Sequence, residues 1–143
     1  MKTIRQVLES KGNDVITIRA AGTVYEALEL MAANNVGASI VLEGEKMVGI
    51  ISERDYARKV ILRGDSSLKL RVRSIMSKDI FSVTPTMTVD QSMTLITENR
   101  CRHLPVIDDD KLVGLVSIGD LVKVTLEEKE QLIKQLENYI ATG

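Results

Sequence analysis

The chain has 143 residues, 44% apolar and 3% aromatic, enough for one domain or two very small ones with a real core. Its 19 Lys and Arg against 20 Asp and Glu exclude a global pull toward nucleic acid or acidic membrane, and one Phe with no Trp leaves little for base stacking. A single cysteine, Cys101, excludes an intramolecular disulfide and suits a reducing compartment.

In chain order, "MKTIRQVLESKG" opens without the apolar run of a signal segment, and no stretch approaches 18 apolar residues. The expectation is a soluble, cytoplasmic protein. Ile4, Val7 and Leu8 have the spacing of a short lead-in helix. "VITI" (15–18) is a β-branched run that predicts a strand. "TVYE" is a capping-box pattern, and Val24, Ala27, Leu28 and Met31 continue it at helical spacing. Asn34 falls near the helix end, where Asn tolerates a left-handed conformation. "ASIVL" predicts a buried strand, "EGEK" a hairpin turn and "MVGIIS" its partner strand. "ERDYARKVILRG" predicts a helix ending at Gly64. The linker "GDSSLKLRVRSIMSK" carries Val72, Ile75 and Met76, an echo of Ile4, Val7 and Leu8, and predicts a second lead-in helix.

The order then returns. "IFSV" (80–83), "TVDQ", the helix bearing Val89, Met93, Leu95 and Ile96, Asn99, "HLPVI", "DDDK" and "LVGLVS" repeat the first set, and the stretch from Ile118 predicts a long final helix. Asp14–Asp55 lies over Asp79–Asp120 without a gap at an offset of 65 residues. Thr23/Thr88, Asn34/Asn99, Gly49/Gly114, Ser52/Ser117 and Asp55/Asp120 are among the identical pairs. Chance would not keep Gly, Ser and Asp in phase over such a length. A long period present only twice predicts two paired β-α-β-β-α copies rather than a solenoid.

The recurring "GIISERD" and "GLVSIGD" carry the chemistry. Ser at a strand end followed by Asp three residues on is, at its simplest, a helix cap. Each Ser, however, follows a Gly inside a strand, which marks close approach of a ligand or another backbone. A helix N-terminus favours anions. A hydroxyl there can hold a phosphate or ribose oxygen, and a carboxylate one turn on can accept both hydrogen bonds of a ribose diol.

With these two G-h-h-S-x-x-D motifs and "RHLPVID" before the second, the chain resembles a tandem pair of CBS (cystathionine β-synthase) domains, a Bateman module, over roughly residues 7–128. The wording "SERDYARKVILRG" and "QLENYI" is similar to small stand-alone CBS-pair proteins. The resemblance implies an α/β (α+β) fold of two repeats about a pseudo-twofold axis, with their sheets packed together and a C-terminal helix. It divides the chain into 1–66 (first repeat with lead-in helix), 67–128 (second repeat) and 129–143 (helical extension). It also implies clefts that bind AMP, ADP, ATP, NAD or S-adenosylmethionine. Asp55 and Asp120 would hold ribose hydroxyls, and Ser52 and Ser117 would contact ribose or phosphate. Adenine would lie against residues of the opposite repeat: Ile16, Val36, Gly37 and Ala38 near Asp120, and Phe81, Cys101, Arg102 and His103 near Asp55. Arg102, His103, Arg54 and Arg58 are phosphate candidates. The implied function is a non-catalytic sensor that signals to a separate partner protein. A homodimer is implied too, with Tyr56, Val60 and Leu121–Val124 as apolar surface for it. The copies differ where Ile40 faces Pro105 and where Gly37 and Ala38 face Arg102 and His103, so unequal clefts are expected.

Plainer readings stand beside these. His103 fits a strand end satisfied by backbone, and no second His or clustered Cys completes a metal or catalytic site. Cys101 fits a packing filler, and Asp108–Asp110 a solvated turn. Leu132, Ile133, Leu136, Tyr139 and Ile140 share one face of the last helix, which suits packing on its own module or across a dimer. The rival functions are a dimerisation module with empty clefts and an enzyme acting on a nucleotide. No Walker loop or nucleophile–base pair supports the enzyme, and no recognition helix supports DNA binding.

Overall fold

A computed structural model describes residues 2–142. The chain falls into two compact units. One runs from Asp14 to Ile80; the other joins the segment up to Asn13 to the stretch from Phe81 onward. Compactness therefore follows a different boundary from the sequence division at 66/67.

In the first of these units, β1 (Thr17–Arg19) pairs in parallel with β2 (Ala38–Glu43), and β2 pairs antiparallel with β3 (Lys46–Ser52). The helix α2 (Val24–Ala33) starts at Thr23, whose side chain accepts the Glu26 N–H, and buries Val24, Ala27 and Met31 against the sheet residues Val41 and Ile51. After β3 come α3 (Glu53–Tyr56) and a π-helical turn, Ala57–Ile61, before Gly64 turns the chain at φ 73°. The lead-in helix α4 (Val72–Ile75) closes the same core with Val72 and Ile75.

The second unit repeats the plan with a different lead-in. The helix α1 (Ile4–Lys11) is followed, after the intervening unit, by α5 (Val89–Asn99), β4 (His103–Asp108), β5 (Lys111–Ser117) and α6 (Ile118–Thr142). Ile4, Val7 and Leu8 share a core with Val89, Ile96, Leu104, Val116 and Leu121. Each lead-in thus packs on the repeat other than the one it precedes. The backbone bonds make the equivalence explicit. The Ile4 N–H donates to Met87 C=O (2.9 Å) and Arg5 N–H to Pro85 C=O (2.9 Å); Val72 N–H donates to Gly22 C=O (2.8 Å) and Arg73 N–H to Ala20 C=O (3.1 Å). The repeats correspond at an offset of 65, but the lead-ins at 68, Ile4 to Val72.

Two local expectations change. The strand expected at Ile80–Val83 shrinks to one bridge, Val83 to Val106. In the first copy the Ile40 N–H donates to Ile16 C=O at 3.0 Å. Pro105 stands at the place of Ile40 and has no N–H for Phe81, the place of Ile16, so the ladder cannot extend. The left-handed residues at the helix ends are Asn35 and Arg100 (φ 52° and 53°), one place beyond Asn34 and Asn99. The amides of Asn34 and Asn99 instead donate to the carbonyls of Leu30 and Leu95, both at 2.9 Å.

Candidate functional site

Both motifs are built as strand, cap and helix. In the unit of β3, the Asp55 N–H donates to Ser52 Oγ (3.1 Å), while Ser52 N–H and Oγ–H return to Asp55 Oδ2 (2.9 and 3.0 Å). In the unit of β5, the Asp120 N–H donates to Ser117 Oγ (3.1 Å) and the Ser117 N–H to Asp120 Oδ2 (2.8 Å). Each Asp is thus a cap partner first, and the plain reading of S-x-x-D holds locally. What remains is a carboxylate fixed in direction at a helix start.

A lysine reaches each carboxylate. Lys11 Nζ lies 2.7 Å from Asp120 Oδ2, and Lys59 Nζ lies 3.1 Å from Asp55 Oδ1. Burial alone would raise the Asp120 carboxyl. The Lys11 ammonium with the Ser117 N–H and hydroxyl outweighs it, and the group sits below its ordinary value. Asp120 therefore stays ionised at neutral pH. Its Oδ1 accepts no hydrogen bond among the described residues, whereas both oxygens of Asp55 are engaged.

The motif glycines have a packing cause. A Cβ on Gly114 would lie 2.7 Å from Leu8 Cδ2; one on Gly49 would lie 2.7 Å from Met76 Sδ and 2.8 Å from the Ser77 carbonyl oxygen. Leu8 and Met76 are equivalents at the offset of 68. The close approach that the glycines mark is the lead-in segment of their own unit.

The flanking residues lie beside the motif of their own unit. Ala38 sits opposite Ser52 and His103 opposite Ser117 in the ladders. The Glu53 N–H donates to Gly37 C=O (3.0 Å), and the Ile118 N–H to Arg102 C=O (2.9 Å), so the two loops meet the two helix starts in the same way. Ile16 C=O accepts from Ser39 Oγ at 2.8 Å, which holds it against β2. Phe81 and Cys101 pack on the core of their unit, and burial pushes the Cys101 thiol up, away from a reactive thiolate. Val36, Gly37, Arg102, Arg54 and Arg58 are exposed, and Ala38 is buried. Lys11 and Lys59 went unnamed in the sequence reading. Lys59 carries a signal, four residues after Asp55 on a helical stretch; Lys11, 109 residues from Asp120, carries none. Among the described residues no cluster of His, Cys, Asp and Glu could hold a metal, and no helix is long and apolar enough to cross a membrane.

This fold and site define a duplicated α/β protein with two small sheets, a capped Ser-x-x-Asp in each copy and a C-terminal helix. The family model of the CBS domain matches residues 4–62 and 72–127, and the chain belongs to that family as a tandem pair. It is 40% identical to the "CBS domain-containing protein CBSX3, mitochondrial" of Arabidopsis thaliana, over 99% of this chain and 73% of that one. The CBS-domain containing protein ATU1752 from Agrobacterium tumefaciens superposes with a TM-score of 0.81 at 34% identity, over 87% and 99% of the two chains. The CBS domain pair of protein MJ0100, solved in complex with 5-methylthioadenosine and S-adenosyl-L-methionine, superposes with a TM-score of 0.78 at 21% identity, over 90% and 98%.

Proposed function

We propose that this chain is a non-catalytic regulatory module that binds an adenosine-containing ligand (AMP, ADP, ATP or NAD) and passes its bound state to a separate partner protein. The observation that carries the reading is Asp120: an ionised carboxylate, held in direction by Ser117, with one oxygen still able to accept. A ribose diol supplies the donors such a group lacks. The adenosine ligands of the MJ0100 pair support the same chemistry. Ser52 and Asp55 serve the first motif in the same way, Ile16, Val36, Gly37, Ala38, Phe81, Cys101, Arg102 and His103 remain the residues proposed to line adenine, and Arg54 and Arg58 the proposed phosphate partners. The two motifs differ in how far their carboxylates are engaged, which favours unequal sites. The single cysteine fits a cytoplasmic setting.

The test is calorimetry on the whole chain with AMP, ADP, ATP, NAD and S-adenosylmethionine, repeated with Asp120→Ala. Binding of one of these, weakened about tenfold or more by the substitution, is expected, since hydrogen bonds to charged groups contribute roughly 1.5–3 kcal/mol. Binding that is absent in the parent, or unchanged in the variant, would sink the reading. A homodimer belongs to the same proposal, although the apolar surface first expected keeps only Val122 exposed and Tyr56 half-buried. Val60, Leu121 and Val124 are buried within their own units. The exposed apolar face is that of α6: Leu126, Leu132, Ile133, Leu136, Tyr139 and Ile140, each more than half exposed.

A further inference from the structure

Each motif aspartate is met by a lysine, and the two lysines come from unrelated positions. Lys11 Nζ donates to Asp120 Oδ2 and to the Leu115 carbonyl, both at 2.7 Å. Lys59 Nζ lies 3.1 Å from Asp55 Oδ1 and donates to the Ile75 carbonyl at 2.8 Å. The repeat does not relate them. The counterpart of Lys59 is Val124, and the counterpart of Lys11 along the lead-in is Asp79. One cation comes from the helical stretch that carries its Asp, the other from a lead-in helix. What the two units share is the outcome: a motif carboxylate neutralised by an ammonium that a carbonyl pins in place.

That outcome bears on a phosphate-bearing ligand. An ionised Asp beside the site would repel a nucleotide phosphate, and a paired lysine removes the repulsion. An ammonium has three donors. Lys11 spends two, on Asp120 Oδ2 and the Leu115 carbonyl, while Lys59 spends one on the Ile75 carbonyl and holds Asp55 Oδ1 as an ion pair, so each keeps a donor among the described residues. Both lysine side chains are about a third exposed (35% and 34%), so the remaining N–H is within reach of a ligand.

We propose that Lys11 and Lys59 are phosphate-binding residues of the Asp120 and Asp55 motifs, each using a remaining N–H to select nucleotides over the neutral nucleoside. The proposal rests on the adenosine-ligand reading above and adds to it a source of phosphate preference.

The experiment is calorimetric titration of the parent, Lys11→Met, Lys11→Arg and Lys59→Met with adenosine, AMP and ATP at low salt. Met keeps the aliphatic stem and removes the charge. The expected result for Lys11→Met is a loss of about tenfold for AMP and ATP at one site, the size of one charged hydrogen bond at a partly exposed position. Adenosine affinity should stay within about twofold, and Lys11→Arg should restore most of the loss. AMP and adenosine falling together would make Lys11 merely structural and overturn the proposal. An unmoved AMP-to-adenosine ratio would overturn it too, while leaving the adenosine reading intact. A parent that binds neither would overturn both. If Lys11→Met does not fold, the same ratio measured in Lys59→Met decides.

Discussion

Replacing the motif glycines by alanine should separate two copies that look alike in sequence. In Gly49→Ala the new methyl meets the Ser77 carbonyl oxygen at 2.8 Å and Met76 Sδ at 2.7 Å. The sulfur ends a flexible side chain and can yield. The carbonyl cannot retreat freely, because it accepts the Ile50 N–H at 3.0 Å while Ser77 N–H donates to Ile50 C=O at 2.8 Å. Overpacking costs roughly 1–3 kcal/mol, and a weakened hydrogen bond adds about 1. Alanine in place of a strand glycine recovers about 0.5–1 kcal/mol. The net is a loss of roughly 2 kcal/mol. In Gly114→Ala the nearest neighbours all belong to the Leu8 side chain, its methyls at 2.7 and 2.9 Å and its Cγ at 3.4 Å. A rotamer change relieves them, so overpacking stays near 1 kcal/mol and the alanine gain nearly offsets it. Calorimetric unfolding should therefore place Gly49→Ala about 6 °C below the parent and Gly114→Ala within about 2 °C of it, at roughly 3 °C per kcal/mol for this chain length. A Gly114→Ala variant as unstable as Gly49→Ala would refute the packing argument. A Gly49→Ala variant of parental stability that had lost ligand binding would return the glycine to a ligand role.

Two further predictions follow from single elements. The folded Asp120 carboxyl lies below its ordinary value, so the stability it contributes is present above about pH 4 and is lost as pH falls through the folded value. Urea unfolding at pH 7 and pH 3 should show a smaller acid loss in Asp120→Asn than in the parent, and equal losses would refute the linkage. On α6, each half-exposed apolar side chain leaves roughly 1 kcal/mol of burial unrealised. Leu136→Asp should convert the proposed homodimer to monomer by light scattering at micromolar concentration, and a dimer that survives the change places its interface elsewhere.

The parts legible in the sequence were those that local chemistry writes locally. Spacing alone marks Thr23, Ser52 and Thr88 as caps, and each accepts the N–H three residues on. The hairpins at Gly44 and at Asp109–Asp110 adopt the left-handed backbone that their Gly and Asp residues tolerate. The misses needed information from afar. "IFSV" has strand composition, but whether it pairs depends on a donor that Pro105 removes. Val60, Leu121 and Val124 look like a surface stripe until the core that takes them is known. The Lys11–Asp120 contact joins residues whose meeting depends on where the lead-in helix goes.

That destination was nonetheless written in the chain as two unequal periods. Repeats correspond at 65 and lead-ins at 68, so no single sliding of the sequence aligns both. Only when Leu8 is set over Gly114, and Met76 over Gly49, does each strand glycine find the side chain it admits. The lead-in that precedes one repeat thus completes the core of the other. A cut between 66 and 67 would leave the first repeat without Val72 and Ile75, both at or below 4% exposure. It would also leave its sheet without the Ile50–Ser77 bridge. A segment from Asp14 to Ile80 keeps both, together with the Lys59–Asp55 pair. The Asp120 motif has no such economy, since its lysine lies before the first repeat and its carboxylate after the second strand pair. Any ligand preference that Lys11 confers therefore depends on the whole chain, whereas that of Lys59 is local to 14–80.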